Sequence, residues 1–540
     1  MALNQNIPNL HVPNWNVYSA LAVTSLGAGG AWAFDMRNAV HKYNNPIFYY
    51  LASASSLQQY NPRLDGTSTT VINPGVGGSV AAGSSSIFVP SAGVKGTLAA
   101  GATSSTFTPS ATVGAIIGRN TLATRGDGFG WIVRVIDNGV GGSGKTEERF
   151  ILENTSSATP LIRLASALSF TPVTGSAFEL LSGRVFMLTA GVTAAGYFRS
   201  YDPAINLMSG NLSIVNLPTT IGTDSTFLSL DEQYVPAVRR PGEGFIVGAS
   251  TYGTNANGVA LSCLLATGSA LGTLTGQAVA GDVTVVINQF RNYQIRIVED
   301  TTAPTSVGQR RVITSHTAGP SAVYTLAANW TVTPSITAKF VIEYPNYLLC
   351  WSSASLSTHT YAYQTTGTMA ADTWNITQFA ASGSPMGAGC MAVSPFGITE
   401  TVGRNVTSGQ IYRFRGGTTV ALDILDITAG ATGVWTNASP YGSMASVTPS
   451  TGSCGVYDPY TFGSSHFYFN LNGTQYFYRF DIQSNNIDPV TTLKYAQSTA
   501  VVGQRLCLKQ ITDSTGLQMT ELFLHRSTGT ELFGLLLSNE

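Results

Sequence analysis

The sequence predicts an all-β fold, and its composition and turn pattern support this assignment. Glycine is frequent, with 57 residues among 540, and charged residues make up only 10% of the chain. Long stretches of Ser, Thr, Ala and Gly separate short apolar runs. This pattern is typical of many short strands joined by turns, and it argues against a helix-rich protein.

A recurring hairpin pattern is the third observation. An apolar strand is followed by a short Gly/Ser/Thr turn and by a second strand that ends in an aromatic residue, Asp or Asn. Five units fit it: Ile47 to Tyr60, Val185 to Tyr201, Tyr347 to Tyr363, Ile411 to Asp426, and Phe467 to Asp481. The last three begin about 55 to 65 residues apart, close to the length of one propeller blade.

Aromatic and glycine positions in these units resemble kelch-type β-propeller repeats. Two units continue to a tryptophan, Trp374 and Trp435, and one carries the doublet Gly416-Gly417 after its first strand. Met208 stands near the place where a further tryptophan is expected. The resemblance implies a kelch-like β-propeller of about five to eight blades. An array of β-sandwiches with chance aromatic spacing is the alternative.

An internal duplication is visible at a constant offset of 162 residues. Residues 131–180 align without a gap on residues 293–342, and nine of the fifty positions are identical. The identical pairs are Arg134/Arg296, Arg149/Arg311, Ile151/Ile313, Thr155/Thr317, Leu164/Leu326, Ala165/Ala327, Thr171/Thr333, Pro172/Pro334 and Phe178/Phe340. We expect each copy to be a small β-domain inserted before a blade.

The duplication and the hairpins predict a division of the chain into six segments. They are an N-terminal arm (1–45), part of a blade (46–66), the first inserted β-domain (67–182), one or more blades (183–262), the second inserted β-domain (263–343) and the remaining blades (344–540). Within the arm, Trp32, Met36, Val40 and Tyr43 recur at helical spacing and predict a helix. The arm either docks on a neighbouring molecule or packs on its own domain.

One motif suggests nucleotide binding. Residues 139–146 read Gly-Val-Gly-Gly-Ser-Gly-Lys-Thr and match the P-loop expression, which requires a helix after the lysine to hold phosphates. Here the residues after Lys145 begin a strand-like run in both copies, and the second copy has no Gly-Lys-Thr. We therefore interpret the motif as a β-hairpin turn.

The duplicated arginines are the candidate structural residues. Arg134 and Arg149, like Arg296 and Arg311, flank that hairpin, and an acid follows the first arginine of each copy at Asp137 and Glu299. We expect cross-strand charge or hydrogen-bond pairs that fix the register of the hairpin. A surface that grips an acidic partner is the alternative.

Other chemistry finds no support in the sequence. The net charge of −1 gives no field that would recruit nucleic acid, and the five cysteines, without a C-x-x-C pair, are expected to be reduced. No apolar run is long enough to span a bilayer, and no cofactor, metal or catalytic constellation stands out. From this we expected a chain that is not an enzyme.

The low charge, the propeller-like repeats and the insert pattern Tyr293–Glu299, Gly308–Thr317 and Trp330–Pro334 resemble structural proteins of tailed-bacteriophage virions. A propeller with inserted β-domains is similar to the tail nozzle, or hub. The resemblance implies a homo-oligomeric ring between adaptor or portal and tail fibres, assembled in the host cytoplasm, through which DNA passes without specific binding during genome ejection. A capsid decoration or collar protein and a receptor- or carbohydrate-binding tail appendage are the alternatives.

Overall fold

The computed structural model is all-β, and the described part of the chain contains one short 3₁₀ turn at Pro304–Ser306. The structure describes residues 15–17, 32–35, 47–52, 56–60, 69–72, 84–89, 92–113, 117–123, 131–189, 198–218, 226–230, 263–267, 270–276, 286–319, 321–336, 338–343, 347–353, 358–365, 373–393, 409–417, 419–438, 441–442, 449–458, 466–471, 476–482, 484–492, 505–512, 518–525 and 532–537.

The strands of the first half of the chain are β1 (Trp15–Val17), β2 (Trp32–Asp35), β3 (Ile47–Ala52), β4 (Ser56–Tyr60), β5 (Thr69–Ile72), β6 (Ser85–Val89), β7 (Lys95–Thr97), β8 (Thr106–Phe107), β9 (Ile132–Ile136), β10 (Thr146–Asn154), β11 (Ile162–Leu164), β12 (Ala177–Leu180), β13 (Arg184–Leu188), β14 (Phe198–Asp202), β15 (Leu207–Met208), β16 (Thr226–Ser229), β17 (Cys263–Thr267) and β18 (Thr273–Gly276).

The strands of the second half are β19 (Gln294–Glu299), β20 (Arg310–His316), β21 (Val323–Leu326), β22 (Lys339–Glu343), β23 (Tyr347–Trp351), β24 (Tyr361–Gln364), β25 (Trp374–Asn375), β26 (Met391–Val393), β27 (Gln410–Gly416), β28 (Thr419–Asp426), β29 (Val434–Ala438), β30 (Tyr441–Gly442), β31 (Cys454–Asp458), β32 (His466–Asn470), β33 (Tyr476–Asp481), β34 (Asn486–Thr492), β35 (Arg505–Thr512), β36 (Gln518–His525) and β37 (Leu532–Leu537).

Six sheets form a closed, propeller-like ring within the described residues. Their inner edge strands contact one another in the cyclic order β2, β6, β16, β26, β31 and β35, and β35 contacts β2 again. We number the sheets in that order. From each inner strand the sheet continues outward as an antiparallel meander, and β30 joins the outer edge of sheet 5 in parallel. Sheet 6 is completed by β1, which pairs with β37, so strands from near both ends of the chain meet in one sheet.

The five hairpins predicted from the sequence are confirmed as the strand pairs β3–β4, β13–β14, β23–β24, β27–β28 and β32–β33. The pair β35–β36 was not predicted. The helix predicted at Trp32 is wrong, since β2 pairs with β3 in an antiparallel sheet and this long-range pairing overrides a short helical period. Met36, Val40 and Tyr43 lie outside the described residues.

Two six-stranded units interrupt sheets 2 and 3, each between the first and second strand of its sheet. Barrel 1 has the strand order β7-β12-β9-β10-β11-β8, and the bridge Leu98–Pro109 joins the segments that follow β7 and β8. Barrel 2 is closed, with the order β17-β22-β19-β20-β21-β18. The two orders are identical when β7–β12 are equated with β17–β22.

Segment boundaries differ from the prediction at the first copy. The segment 67–182 includes β5 and β6, which belong to sheets 1 and 2, so barrel 1 begins only at Lys95. The Gly/Ala/Ser-rich stretch around β6 has few apolar residues, and its pairing with β13 is a long-range contact that local patterning does not reveal. The N-terminal segment 1–45 contributes β1 and β2 to two sheets.

The apolar cores lie inside the barrels and between neighbouring sheets. Between sheets 2 and 3, Phe198 contacts Tyr363 and Trp374 at ring-centroid distances of 5.0 and 5.2 Å. Trp374 pairs with Tyr363 across β24 and β25, and Met208 pairs with Tyr201 at the matching place in sheet 2. Met208 therefore occupies the position of a tryptophan, as its place in the sequence suggested.

Candidate functional site

The first conserved pair of the duplication, Arg134 and Arg296, lies on equivalent central strands. In barrel 1, Arg134 on β9 stands between Glu148 on β10 and Glu179 on β12. Its Nε donates to Glu148 Oε1 at 2.8 Å and its Nη1 to Glu179 Oε2 at 2.7 Å. The guanidinium therefore ties three strands together.

The equivalent position in barrel 2 has a different neighbour. Arg296 on β19 stands opposite Arg310 on β20, where barrel 1 has a glutamate. Arg296 Nε donates to Glu343 Oε1 at 2.5 Å. Two arginines directly opposite each other repel, so this pair needs carboxylates from elsewhere.

Arg310 obtains its carboxylate from the other barrel. Its Nη1 and Nη2 donate to Glu179 Oε1 and Oε2 at 2.7 and 2.9 Å, a bidentate pair between barrel 2 and barrel 1. Its Nε donates to Glu343 Oε2 at 3.2 Å. Bidentate arginine–carboxylate pairs are among the strongest charge-assisted hydrogen bonds.

These contacts form one largely buried charge network across the two barrels. Its members are Lys95, Arg134, Glu148, Glu179, Arg296, Arg310 and Glu343. Burial alone would raise the pKa of Glu343, but Arg296 and Arg310 hold it at about 2. The pKa of Glu179 lies well below its usual value because Arg310, Lys95 and Arg134 outweigh its burial. Both carboxylates are therefore charged at neutral pH.

The second conserved pair, Arg149 and Arg311, makes the same main-chain contacts in both barrels. Arg149 Nε donates to the Ala167 carbonyl at 3.1 Å, and Arg311 Nε donates to the Asn329 carbonyl at 2.7 Å. In each case Nη1 donates to the carbonyl of the preceding residue at 2.8 or 2.7 Å. Ala167 and Asn329 also differ by 162 residues, so each arginine fixes the same loop to its hairpin.

An aspartate braces a turn in each barrel, although the second one was misassigned from the sequence. Asp137 Oδ1 accepts from the Val173 amide at 2.9 Å and from Ser176 Oγ at 2.6 Å. The counterpart in barrel 2 is Asp300, which accepts from the Ser335 amide and hydroxyl at 2.8 and 2.6 Å.

The predicted counterpart Glu299 pairs with Lys339 instead, at 2.8 Å. A register shift between Ile297 and Glu299 displaces the equivalent position by one residue, which an ungapped alignment cannot detect.

The conserved prolines and phenylalanines lie in the barrel interiors or next to the turns. Pro172 and Pro334 are buried. Each directly precedes the residue whose amide donates a hydrogen bond to Asp137 or Asp300. Phe178 and Phe340 are buried in the two cores, where Phe178 contacts Phe107 and Phe340 contacts Tyr324 at 5.6 and 5.9 Å. Their conservation between copies reflects the shared barrel frame.

The P-loop-like motif is a hairpin turn between the antiparallel strands β9 and β10. A strand, and not a helix, begins at Thr146, so the helix terminus that a P-loop uses to hold phosphate is missing there. The turn instead contacts barrel 2: the Asp300 amide donates to the Gly144 carbonyl at 2.8 Å, and Asn138 Nδ2 donates to the Val307 carbonyl at 2.9 Å.

Gly144 must be glycine at this contact. Its φ is +68°, and a Cβ there would lie 2.0 Å from the Asp300 carbonyl oxygen. The glycine that completes the apparent P-loop therefore permits the approach of the two barrels.

Three further observations concern the described part of the chain. It contains no group of three or more His, Cys, Asp or Glu residues placed to hold a metal ion. Cys350, Cys390 and Cys454 are buried and form no disulfide. No helix in it is both long and apolar enough to cross a membrane.

Sequence reasoning missed the contact between the barrels, because Glu179 and Arg310 are not conserved between the copies. A signal was present in the alignment of the two copies. Glu148 of the first copy is aligned with Arg310 of the second, so the charge at this position is inverted. Such an inversion indicates that Arg134 and Arg296 have different partners in the two copies.

Comparison with known proteins gives only distant similarities. No protein-family model and no curated protein matches the chain. Among solved structures, the chain is similar to an α-L-arabinanase of Penicillium chrysogenum complexed with arabinobiose, with 10% identity over 66% of this chain and 89% of that chain and a TM-score of 0.24.

Two other solved structures are similar to a comparable extent. An α-L-arabinofuranosidase from Fusarium graminearum, in complex with an iminosugar inhibitor, has 9% identity over 66% of this chain and 89% of that chain, with a TM-score of 0.22. A structure of NanB with Optactamide has 7% identity over 96% of this chain and 94% of that chain, with a TM-score of 0.23.

These findings correct one expectation from the sequence. We expected a chain that is not an enzyme, whereas the first two similar structures are glycoside hydrolases by name, so that expectation is withdrawn. TM-scores of this size do not assign their activity to this chain.

Proposed function

We propose that the chain is a structural subunit of a tailed-phage tail, in which a kelch-like propeller carries two inserted β-domains as a single rigid unit. The observation that supports this proposal most strongly is the buried charge network between the barrels. Such a network opposes relative motion of the barrels. If the barrels moved apart, Arg310 and Glu179 would lose each other as partners while remaining poorly solvated, which costs free energy.

The connectivity supports the same conclusion. Both barrels leave the ring at the same connection, between the first and second strands of adjacent sheets. Barrel 2 also contacts sheet 4, since Asn292 Nδ2 donates to the Ile427 carbonyl at 2.6 Å. The barrels are thus attached to the ring and to each other, which suits a part that bears load.

Assembly in the particle is proposed as a homo-oligomeric ring, the tail nozzle or hub, with adaptor or portal proteins on one side and tail fibres as neighbours. Identical subunits close into a ring through heterologous contacts. The net charge of −1 would let DNA pass without the tight electrostatic binding that a Lys/Arg-rich lumen would cause. The proposal concerns location and assembly, and it makes no statement about catalysis.

The test is a cryo-electron microscopy reconstruction of purified particles that contain the chain with a bulky tag at Val140, which is 93% exposed. We expect tag density in a ring around the tail axis. Density spread over the head would instead indicate a decoration or collar protein. Density on peripheral appendages would indicate receptor binding, and either result would overturn the nozzle proposal.

A further inference from the structure

His316, the last residue of β20, is buried in barrel 2 and uses both of its ring nitrogens. Its Nε2 accepts a hydrogen bond from the Phe290 amide at 2.9 Å, and its Nδ1 lies 2.8 Å from the Thr317 carbonyl oxygen. An amide N–H can only donate and a carbonyl can only accept. The two partners therefore require the neutral imidazole with its proton on Nδ1.

The main chain of His316 holds the same turn that contains Phe290. The His316 amide donates to Asn288 Oδ1 at 2.9 Å, and the Asn288 amide donates to the His316 carbonyl at 3.2 Å. We call residues 286–292 the docking turn. Three hydrogen bonds, one of them to the imidazole, thus join the docking turn to the end of β20.

The docking turn attaches barrel 2 to sheet 4. Asn292 Nδ2 donates to the Ile427 carbonyl at 2.6 Å, and Arg291 Nη1 donates to the Gly430 carbonyl. Ile427 directly follows β28. A change in the bonding of His316 therefore acts on the segment that fixes barrel 2 to the ring.

Barrel 1 builds the same turn with an asparagine. Asn154 precedes His316 by 162 residues, and its Oδ1 accepts from the Leu122 amide while its Nδ2 donates to the Thr155 carbonyl, both at 3.0 Å. The Asn154 amide donates to Asn120 Oδ1 at 3.2 Å, and the Asn120 amide donates to the Asn154 carbonyl at 2.9 Å. Each contact has its equivalent around His316.

The left-handed residue of the turn is also shared. Asn120 has a φ of +57° and Asn288 a φ of +60°. Both turns are therefore folded alike, and the side chain that caps them is the difference. An asparagine amide stays neutral, whereas a histidine titrates with an ordinary pKa of about 6.5.

Protonation of His316 would break the cap. The added proton on Nε2 points at the Phe290 N–H, so two donors face each other without an acceptor. The hydrogen bond is then lost, and a charged imidazolium is left in a buried place.

We propose that protonation of His316 opens the docking turn and loosens the attachment of barrel 2 to sheet 4, whereas the equivalent turn of barrel 1 does not respond to pH. The inference goes beyond the proposed structural role and does not depend on it.

The surroundings of the imidazole favour its neutral form. Burial lowers the pKa of His316, the hydrogen bond to the Thr317 carbonyl acts in the opposite direction, and the Arg291 cation lowers the pKa further. Phe290 and Tyr324 contact the ring at centroid distances of 5.7 and 5.1 Å, and a phenol carries no charge at acid pH. Among the described residues, no carboxylate acts on the ring.

The sign of the pH effect follows from this lowered pKa. The closed turn has the lower pKa, and the open turn has the ordinary one. The stabilising contribution of His316 is therefore present above about pH 6.5 and is lost as the pH falls through the lower pKa of the closed turn.

The experiment is hydrogen–deuterium exchange of the full chain followed by mass spectrometry between about pH 5 and about pH 7.5, with each rate divided by the intrinsic rate at that pH. Protection of the docking turn should fall by at least about threefold as the pH is lowered, and by no more than about tenfold per pH unit, the limit for one proton. Residues 427–430 should lose protection with it. Residues 118–123 of barrel 1 should keep their protection.

His316→Asn gives barrel 2 the residue of barrel 1 and should make protection of the docking turn independent of pH. His359→Asn is the matched control, because His359 is an exposed histidine and should leave the wild-type profile unchanged. Asn154→His should transfer the pH response to residues 118–123.

The wild-type profile decides the question even if a variant fails to fold. A flat profile for the docking turn, or an equal fall in residues 118–123, would overturn the proposal. So would an unchanged pH response in His316→Asn. Constant protection of residues 427–430 while the docking turn opens would contradict the loosened attachment to sheet 4.

Discussion

The two barrels share one frame but differ in the charged residues around the same central arginine. Both have the same strand order, and Arg134 and Arg296 occupy the same place in it. In barrel 1 that arginine faces Glu148 and is paired internally, whereas in barrel 2 it faces Arg310. The second barrel therefore needs carboxylates beyond β20, and Arg310 finds one in barrel 1 at Glu179. The contact between the barrels therefore depends on two residues, Arg310 and Glu179, that the copies do not share.

The largest effect is expected from the residue that joins the barrels. Arg310→Ala leaves Glu179 and Glu343 buried with fewer cations, and we expect a loss of about 3 to 5 kcal/mol in the free energy of unfolding. Urea titration followed by circular dichroism measures it.

Arg163→Ala is the control for this variant. Arg163 pairs with Glu153 at 3.1 Å, but the side chains are 55% and 49% exposed, so we expect a loss of less than about 1 kcal/mol. If Arg310→Ala were as mild as the control, the network would not hold the barrels together.

A backbone contact between the barrels should come next. Gly144→Ala places a Cβ against the Asp300 carbonyl at a positive φ, and we expect a loss of about 1 to 3 kcal/mol. Thermal unfolding measures it. Gly141→Ala is the matched control, since Gly141 also has a positive φ, +80°, but no atom lies within 4 Å of its Cβ position. Equal losses would mean that backbone strain, and not the contact, explains the effect.

The two bracing aspartates should be equivalent. Asp137→Ala and Asp300→Ala each remove the acceptor of several turn donors, and we expect each to cost about 1 to 3 kcal/mol. A large loss for Glu299→Ala, with none for Asp300→Ala, would contradict the assignment of Asp300 as the counterpart of Asp137.

Asp137 and Asp300 should also make the free energy of unfolding depend on pH. Burial would raise the pKa of both, but the donated hydrogen bonds lower it below the ordinary value. Their contribution is therefore present above the unfolded pKa of about 3.9 and is lost as the pH falls through the lower folded pKa. Asp137→Asn should reduce this acid-induced loss, measured by urea unfolding between about pH 2 and about pH 5.

The smallest effect is expected from the second arginine pair. Arg149→Ala and Arg311→Ala remove hydrogen bonds to loop carbonyls at partly exposed sites, and we expect losses of about 0.5 to 1.5 kcal/mol each. The two values, measured by thermal unfolding, should be similar, because the hydrogen bonds to main-chain carbonyls are the same in both barrels. Each variant also loses a further contact, since Arg311 lies over Trp330 at 5.3 Å and Arg149 pairs with Glu147 at 2.5 Å.

Local sequence patterns predicted those elements whose conformation depends on residues close together in the chain. The five hairpins followed from alternating apolar residues and turns, and the hairpin at Gly139–Thr146 followed from the strand-like run after Lys145. The strand at Trp32 could not be predicted in this way, since its pairing with β3 decides its conformation.

The site between the barrels was not predictable for a related reason. Glu179 and Arg310 lie 131 residues apart and belong to different copies, so neither copy contains the pair. Asp300 lies one residue beyond the position aligned with Asp137 because of a register shift that could not be predicted from the sequence. What the alignment did preserve, Arg149 and Arg311 with their loops, lies wholly within each copy.

The most direct test of the account is a double-mutant cycle on the pair between the barrels. Glu179→Gln, Arg310→Gln and the double variant are compared by urea unfolding of the full chain. We predict a coupling energy of at least about 1.5 kcal/mol, because the pair is bidentate and largely buried. Additivity within about 0.5 kcal/mol would contradict the conclusion that this contact locks the two barrels into one unit.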